Sequence, residues 1–460
     1  MDLVNRWTGT CSMGSTASPA STSIPTAPGS LPILGHSVAL LREPWHFLAS
    51  LPALGSDLVR IRLGPYRVVV VCDPGLTRQV LRNDRTFDKG GPLFDVARDT
   101  IGNSVITAPH SAHRQQRRRI QGPFHAHRLP LYATEMTREV DAVTARWHGQ
   151  SKIEVASEMM RLTTRGFLAA MFSVSISPAA LDQALTDVTV IVDGLYRQLV
   201  LPRRLRGLPT PANLRYRAAR ASLRRLVDQV VGSRRNSSTE FDDLLSALLA
   251  EHDRAEGATP SDSTMYEQLT ALFIAGSETT ASTLSWALYL LATHPETLAA
   301  MQTETDRVLP EGLARHEHIA ALDLTRRVLA ETLRLYPPGW LFTRVVTADS
   351  QLGEYFLAEG TSVIYSPYLL HRLDGEYRDA GRFDPDRWVI GAAPTSYVPF
   401  GAGPRRCAGE QFALTEATLA LATIVRRWQL RPCSDEPLRP AVAMALRPRR
   451  FHIAVTERMR

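Results

Sequence analysis

The sequence predicts a mainly α-helical protein with a minor β part. Residues 131–255 carry apolar positions at helical spacing almost throughout, with two interruptions. Leu269 to Leu291 and Gln411 to Trp428 are two further runs of the same period. Strand patterning is confined to short pieces between Leu58 and Val71 and between Tyr355 and Ile364.

Taken in order, residues 1–29 are rich in Ser, Thr, Pro and Gly. They lack the continuous apolar core of a signal peptide and the roughly 20-residue run of a membrane anchor. A disordered tail is expected there, followed by a single catalytic domain over 30–460, since no repeat or linker divides the rest. Pro44 to Leu54 reads as a short helix with proline at a starting position. Leu58 to Leu63 and Arg67 to Val71 flank Gly64-Pro65-Tyr66 and read as a hairpin. Asp73-Pro74 starts a helix to about Asn83. Gly90-Gly91-Pro92 opens a loop that offers Leu93 and Phe94 to a pocket. The helical region breaks at Ser173 to Pro178 and again around Leu201 to Pro211. The second break, with Pro202, Pro209, Pro211 and Arg203, Arg204 and Arg206, reads as a mobile lid or as a solvated connector.

The 460 residues are 44% hydrophobic and carry a net charge of +7. Lysine occurs only at Lys89 and Lys152, so the basic excess is arginine. The arginines are scattered and no nucleic-acid recognition motif accompanies them, which favours docking of an acidic protein. Cys11, Cys72, Cys407 and Cys433 are widely separated. No framework spacing is present, so a reducing, cytoplasmic setting without structural disulfides is expected.

Four stretches carry chemistry. Phe400-Gly401-Ala402-Gly403-Pro404-Arg405-Arg406-Cys407-Ala408-Gly409 places one cysteine at the start of the last helical run. A sulfur there faces unpaired N–H groups and the positive end of the helix dipole, which favour a thiolate. The glycines let the backbone pass close to something flat, and Arg405 can grip a carboxylate. The plain alternatives are a small buried apolar residue, a dinucleotide fingerprint and a cysteine–histidine pair. The fingerprint lacks its third glycine, since Arg406 stands there.

Glu331 and Arg334 share one helical face in a run ended by Pro337-Pro338. A surface ion pair is the common meaning of such a spacing. Ala275-Gly276-Ser277-Glu278-Thr279-Thr280 sits mid-way along the apolar run Leu269 to Leu291, where glycine and threonine are poor helix formers. It reads either as close helix packing at Gly276 or as a local distortion with hydroxyls free to bond water. His113 and Arg117 lie one turn apart in a basic helical segment. His125-Ala126-His127 has no further ligand at metal spacing and reads as surface.

These motifs, in this order from about residue 30 to the C-terminus, resemble those of the cytochrome P-450 superfamily. The resemblance is to its soluble bacterial type and is similar to actinobacterial terpene-oxidising members. It implies haem b lying between the long central helix and the cysteine-loop helix, with Cys407 as the axial iron ligand. Phe400 and Gly409 belong to the haem loop, and His113, Arg117, Arg344 and Arg405 take the propionate positions. Phe383-Asp384-Pro385-Asp386-Arg387-Trp388 resembles the segment whose arginine completes a Glu331–Arg334–Arg387 network. By position Glu278 is the acid and Thr279 the alcohol of proton delivery.

The implied activity is insertion of one oxygen atom from O2 into an apolar small molecule. Electrons come from NAD(P)H through an external ferredoxin and ferredoxin reductase, and the protein is expected to be a monomer. The resemblance assigns Leu93, Phe94, Leu272, Phe273, Ala275, Trp340, Leu341, Phe342 and Met444, with Val442 nearby, to the substrate pocket. So apolar a set fits a cyclic sesquiterpene, hydroxylated once or repeatedly in secondary metabolism, with a polyketide or steroid-like substrate as runner-up. A peroxide-using haem-thiolate enzyme and a non-catalytic haem binder are the remaining alternatives.

Overall fold

The computed structural model describes residues 23–173, 177–201, 203–236, 243–256, 262–389, 393–441 and 443–458. Its axis is the helix Asp262–Thr293, 32 residues long. Helices Val155–Phe172, Pro211–Arg235 and Glu410–Arg427 pack around it. Two apolar cores meet along this axis. Met265, Leu269 and Phe273 enter one core, with Phe167, Val188 and Leu223. Ala281, Leu284, Leu288 and Leu291 enter the other, with Val328, Leu421 and Trp428. Between the two cores lie Ile274, Ala275, Gly276 and Thr279, each only half-buried in the middle of an otherwise buried helix. Side chains in such a place line an interior space.

The β part is small. Leu58–Leu63, Tyr66–Val71, Ser362–Tyr365, Phe342–Val346 and Phe87–Asp88 form one sheet in that spatial order. A second sheet joins Lys152–Glu154, His452–Glu457 and Trp428–Pro432. Pro440–Ala441 and Arg447–Pro448 close a short hairpin near the C-terminus.

Most sequence expectations are met within a few residues. The hairpin pairs Leu58 with Val71 through Leu63 with Tyr66. Asp73 caps the helix Pro74–Arg82 by accepting from the Leu76 amide at 2.6 Å. Three expectations are corrected. The Gly-Gly-Pro stretch opens a helix, Pro92–Ile101, and not a loop. Gly91 turns the chain at φ +83°, and Pro92 supplies a preset first helical residue.

The region 131–255 also has an interruption that its apolar spacing hides. The strand Lys152–Glu154 separates Leu129–Ala145 from Val155–Phe172, and Glu154 caps the second helix. Order also begins before residue 30. Ala27 donates to the Arg60 carbonyl at 2.9 Å and Arg60 to that of Pro25 at 2.7 Å, with Ile24 and Ala27 buried. Residues 1–22 of the expected tail, with Cys11, lie outside the described residues, as do Pro202 and Val442.

The break between Pro178–Val200 and Pro211–Arg235 is tied to both helices. The Asn213 amide nitrogen donates to the carbonyls of Arg206 and Leu208, and Gln198 donates to the Asn213 side-chain oxygen. Gly194 lies flat on the Tyr216 ring, where a Cβ would stand 2.1 Å from it. The two helices and their connector are therefore clasped into one unit.

Candidate functional site

The cysteine loop is shaped by its glycines. Gly401 and Gly403 both have positive φ, and a Cβ on Gly403 would lie 2.3 Å from the Leu81 carbonyl oxygen. The loop therefore seats directly on the helix Pro74–Arg82. The Cys407 amide donates to the Phe400 carbonyl at 2.9 Å, closing the turn. The Gly409 amide hydrogen-bonds Cys407 and favours its thiolate, as do Arg117 and Arg406, while burial pushes the thiol the other way and prevails. Cys407 nonetheless has an exposed surface. A group that is accessible and yet desolvated faces an enclosed space.

Behind the loop stands a buried ion pair. Arg334, fully buried, donates to Glu331 through Nε and Nη2, both at 2.8 Å. Its remaining donors reach the carbonyls of His371, Ala380 and Arg382. Arg387 Nε reaches Glu331 at 3.3 Å, so the structure brings the three expected members together. The sequence reading missed two more. Trp388 donates its indole N–H to Glu331 at 2.9 Å. His371 carries the network forward to the loop: its Nε2 accepts from the Val398 amide at 2.9 Å, and its Nδ1 donates to the Arg334 carbonyl at 3.1 Å. Burial pushes His371 down to about 3, which keeps the ring neutral as this pair of bonds requires. Val398 stands two residues before Phe400.

On the other side of Cys407 is a group of cations. His113 is buried, and desolvation with the Arg405 charge pushes it down to about 3, so it is neutral. Arg117 donates to the Arg406 carbonyl at 2.5 Å. Arg344 donates to its neighbour Thr343 and to the Tyr365 hydroxyl, and is almost fully buried. Arg405 was read as a carboxylate-binding group. The carboxylates it meets here are Asp84 at 2.8 Å and Asp88 at 2.9 Å, with a third bond to the Ala108 carbonyl.

Lys89 joins this group unannounced, its Nζ 2.5 Å from the Ile106 carbonyl. Burial, Arg344 and Arg405 push its ammonium well below the usual lysine range. One signal pointed to it: in a chain that otherwise uses arginine, it is one of only two lysines. So many cations in a desolvated place, against two aspartates, call for further negative charge.

The central helix carries its half-buried turn at Ile274, Ala275, Gly276 and Thr279. The helix runs unbroken through Gly276, contrary to the distortion weighed above. Gly276 serves close packing, since a Cβ there would lie 2.5 Å from the Phe167 ring. Thr279 donates to the Ala275 carbonyl at 2.7 Å. Glu278 is buried, and desolvation raises its pKa to about 7. Its Oε1 has no hydrogen-bond partner.

Comparison with known proteins gives this arrangement its family. The cytochrome P450 family model matches residues 25–454. The chain belongs to the cytochrome P450 family. This P450 is 42% identical to a pentalenene oxygenase of Streptomyces avermitilis over 94% of its own length and 97% of the relative's. It is 42% identical to a cyclooctatin synthase of Streptomyces melanosporofaciens, over 91% and 93% of the two chains. A cyclooctat-9-en-7-ol 5-monooxygenase from the same organism is 41% identical, over 88% and 89%.

As a P450 the protein is an oxidoreductase of the monooxygenase class that uses haem, with a cysteine thiolate as ligand, and O2. The residues present fit that cofactor. An accessible yet desolvated sulfur stands beside cations whose excess matches two propionates, and the helix after it packs on the central helix, which carries a half-buried turn. No helix among the described residues is long and apolar enough to cross a membrane.

The residues expected at the substrate pocket divide. Leu93, Ala275, Leu341, Phe342 and Met444 are half-buried, and Leu272 and Phe94 nearly fully buried. Phe273 is corrected: it is 2% exposed and its ring meets Phe167 at 6.0 Å, in the core behind the helix. Trp340 is likewise held in packing, its ring 4.8 Å from that of Trp45 and its N–H bonded to the Ala443 carbonyl. An aromatic ring gains more by full burial against other rings than by lining a cavity. His125 and His127 are exposed, as read.

Proposed function

We propose that this P450 hydroxylates a cyclic sesquiterpene, in one or more steps, within secondary metabolism. One observation carries the reading. The half-buried pocket residues are apolar, and the cations beside them, Arg344 and, over the Phe94 ring, Lys89, are claimed in this reading by the haem propionates, so no charge is left to anchor a substrate carboxylate. The names of the relatives, a pentalenene oxygenase and a cyclooctatin synthase, point the same way. A panel of cyclic terpene hydrocarbons and long-chain acids, read by the low- to high-spin change of the haem, tests it. Terpenes should give the shift at micromolar concentration. Tight shifts with the acids and none with the terpenes would overturn the reading.

In this reading Cys407 holds the iron, and His113, Arg117, Arg344, Arg405 and Lys89 hold the propionates. Bound haem supplies activation of O2 and insertion of one oxygen atom. The chain's own residues do the rest. The Gly409 amide tempers the charge on the sulfur, Thr279 keeps lone pairs free to order water, and Glu278 holds a proton near neutrality for delivery.

Electrons arrive from NAD(P)H through a ferredoxin and its reductase, and the enzyme works as a cytoplasmic monomer. Cys72, Cys407 and Cys433 are free thiols, in keeping with a reducing setting. Arg406 is occupied by Glu410, with two bonds of 2.6 Å, so the docking charge falls to exposed Arg118, next to Arg117. Reduction by an acidic ferredoxin should slow with added salt, and Arg118→Glu should slow it about tenfold at low salt. Rates that ignore both salt and Arg118→Glu would refute this docking.

A further inference from the structure

The buried acid of the central helix has an unusual neighbour. Glu278, Ser282 and Trp286 lie at successive fourth positions and so share one helical face. That face carries the C-terminal hairpin: Ser282 and Trp286 both donate to the Leu446 carbonyl, at 2.7 and 2.9 Å. The Leu446 amide donates to Pro338 at 2.9 Å. The backbone before Arg447 is therefore fixed, and only the guanidinium has freedom to choose a partner.

Two carboxylates compete for it. Arg447 Nη2 donates to Asp193, which belongs to the helix Pro178–Val200. Arg447 Nη1 stands 3.9 Å from Oε1 of Glu278, beyond hydrogen-bond reach. That same Oε1 is the atom left without a partner. The Arg447 side chain is 28% exposed and that of Asp193 is 48% exposed, whereas that of Glu278 is 7% exposed. The three form a line from the helix centre towards solvent.

We propose that Arg447 is the positioning residue of the Glu278 acid, shared between Glu278 and Asp193, so that the seating of the helix Pro178–Val200 sets whether Glu278 can carry a proton. With that helix seated, Asp193 holds Arg447 off Glu278. A desolvated carboxyl without a cation partner retains its proton near neutrality, in line with the value of about 7. When the helix lifts, Arg447 is released to close on Glu278 and hold it as the carboxylate, which cannot donate. Because Gly194, next to Asp193, is pressed on Tyr216, the helix and its partner Pro211–Arg235 carry Asp193 as one body. Proton supply is thereby tied to closure of that body, and a site left open does not discharge its acid.

The charged groups that bear on Glu278 are Arg447, which favours the carboxylate, and Asp193, which opposes it. Of the helices that pack on the central one, Glu410–Arg427 carries the buried acid Glu416, whose carboxyl burial pushes well above the usual range.

The proposal rests on Glu278 being the acid of proton delivery. Its test uses the haem-loaded enzyme and reads the protonated-carboxyl infrared band against pH, assigned by its loss in Glu278→Gln. The fraction of reducing equivalents recovered in product is followed over the same pH range. Asp193→Asn should lower the midpoint by about one pH unit or more, because Arg447 is then free to pair with Glu278. Arg447→Gln should raise it, and Arg447→Lys should restore part of the difference. In the Arg447→Gln background, Asp193→Asn should move the midpoint far less than it does alone. Opposite signs from two partners of one ion pair are not expected of a purely structural contact. An unmoved midpoint in Asp193→Asn, or shifts of the same sign in both variants, would refute the shared arginine while leaving Glu278 as the acid. Absence of any titrating band that Glu278→Gln removes would overturn the acid assignment and this proposal with it.

Discussion

Replacing Cys407 with serine should abolish the red-shifted Soret band of the reduced carbon monoxide complex and lower turnover by more than ~100-fold. The floor comes from metal sites generally, where losing even a partner of a ligand costs roughly 10–100-fold. Folding should survive the change. The Cys407 side chain is exposed, and the turn is closed by its amide and the Phe400 carbonyl, which serine retains. Cys433→Ala, at an exposed position away from the loop, should leave the spectrum as it is. Cys72→Ala should do so too, since burial pushes that thiol up to about 12 and makes it an inert packing group. A Cys407→Ser protein that keeps the band would remove Cys407 from the iron.

Glu331→Ala should be the most destabilising single change near the site. Five donors converge on that carboxylate: Nε and Nη2 of Arg334, Nε of Arg387, the Trp388 indole and the Asp384 amide. Removing it leaves the Arg334 guanidinium fully buried without its counter-charge. Breaking a buried pair in this way costs about 3–5 kcal/mol, against a total stability on the order of 5–15 kcal/mol. The damage is not confined to stability. Arg334 holds the His371 carbonyl, and His371 holds Val398, so the approach to Cys407 loosens with it. Urea unfolding together with the ratio of haem to protein measures both effects. An unshifted midpoint with full haem content would show that the network is dispensable.

The Glu331 network also marks how far a linear reading reaches. Glu331, Arg334 and Arg387 were legible because an i, i+3 pair and a Pro-Asp-Arg-Trp segment stand out locally. His371 was not, since its partners lie 37 residues before it and 27 after it. Lys89 was visible only as an odd choice of residue. Its meaning arises where Arg344 and Arg405, from distant parts of the chain, come to stand beside it.

The resemblance placed Phe273 in the pocket with Leu272 and Ala275. On a helix, adjacent residues point about 100° apart, and the partner Phe167 decided its side. The Gly276 distortion failed for a related reason. The same glycine lets Phe167 approach, and helix propensity yields to tertiary packing.

By itself the sequence determined the helical class and displayed the cysteine loop and the Glu278-Thr279 pair of the central run, because these are patterns of periodicity and of neighbours within a turn or two. It also carried the start of most elements, through proline, glycine and capping residues. Only the tertiary structure decided which charges share a buried space. It set Arg405 against Asp84 and Asp88, and Arg447 between Glu278 and Asp193. The strength and sign of a charge's effect depend on distance and on exclusion of water, and neither is written along the chain.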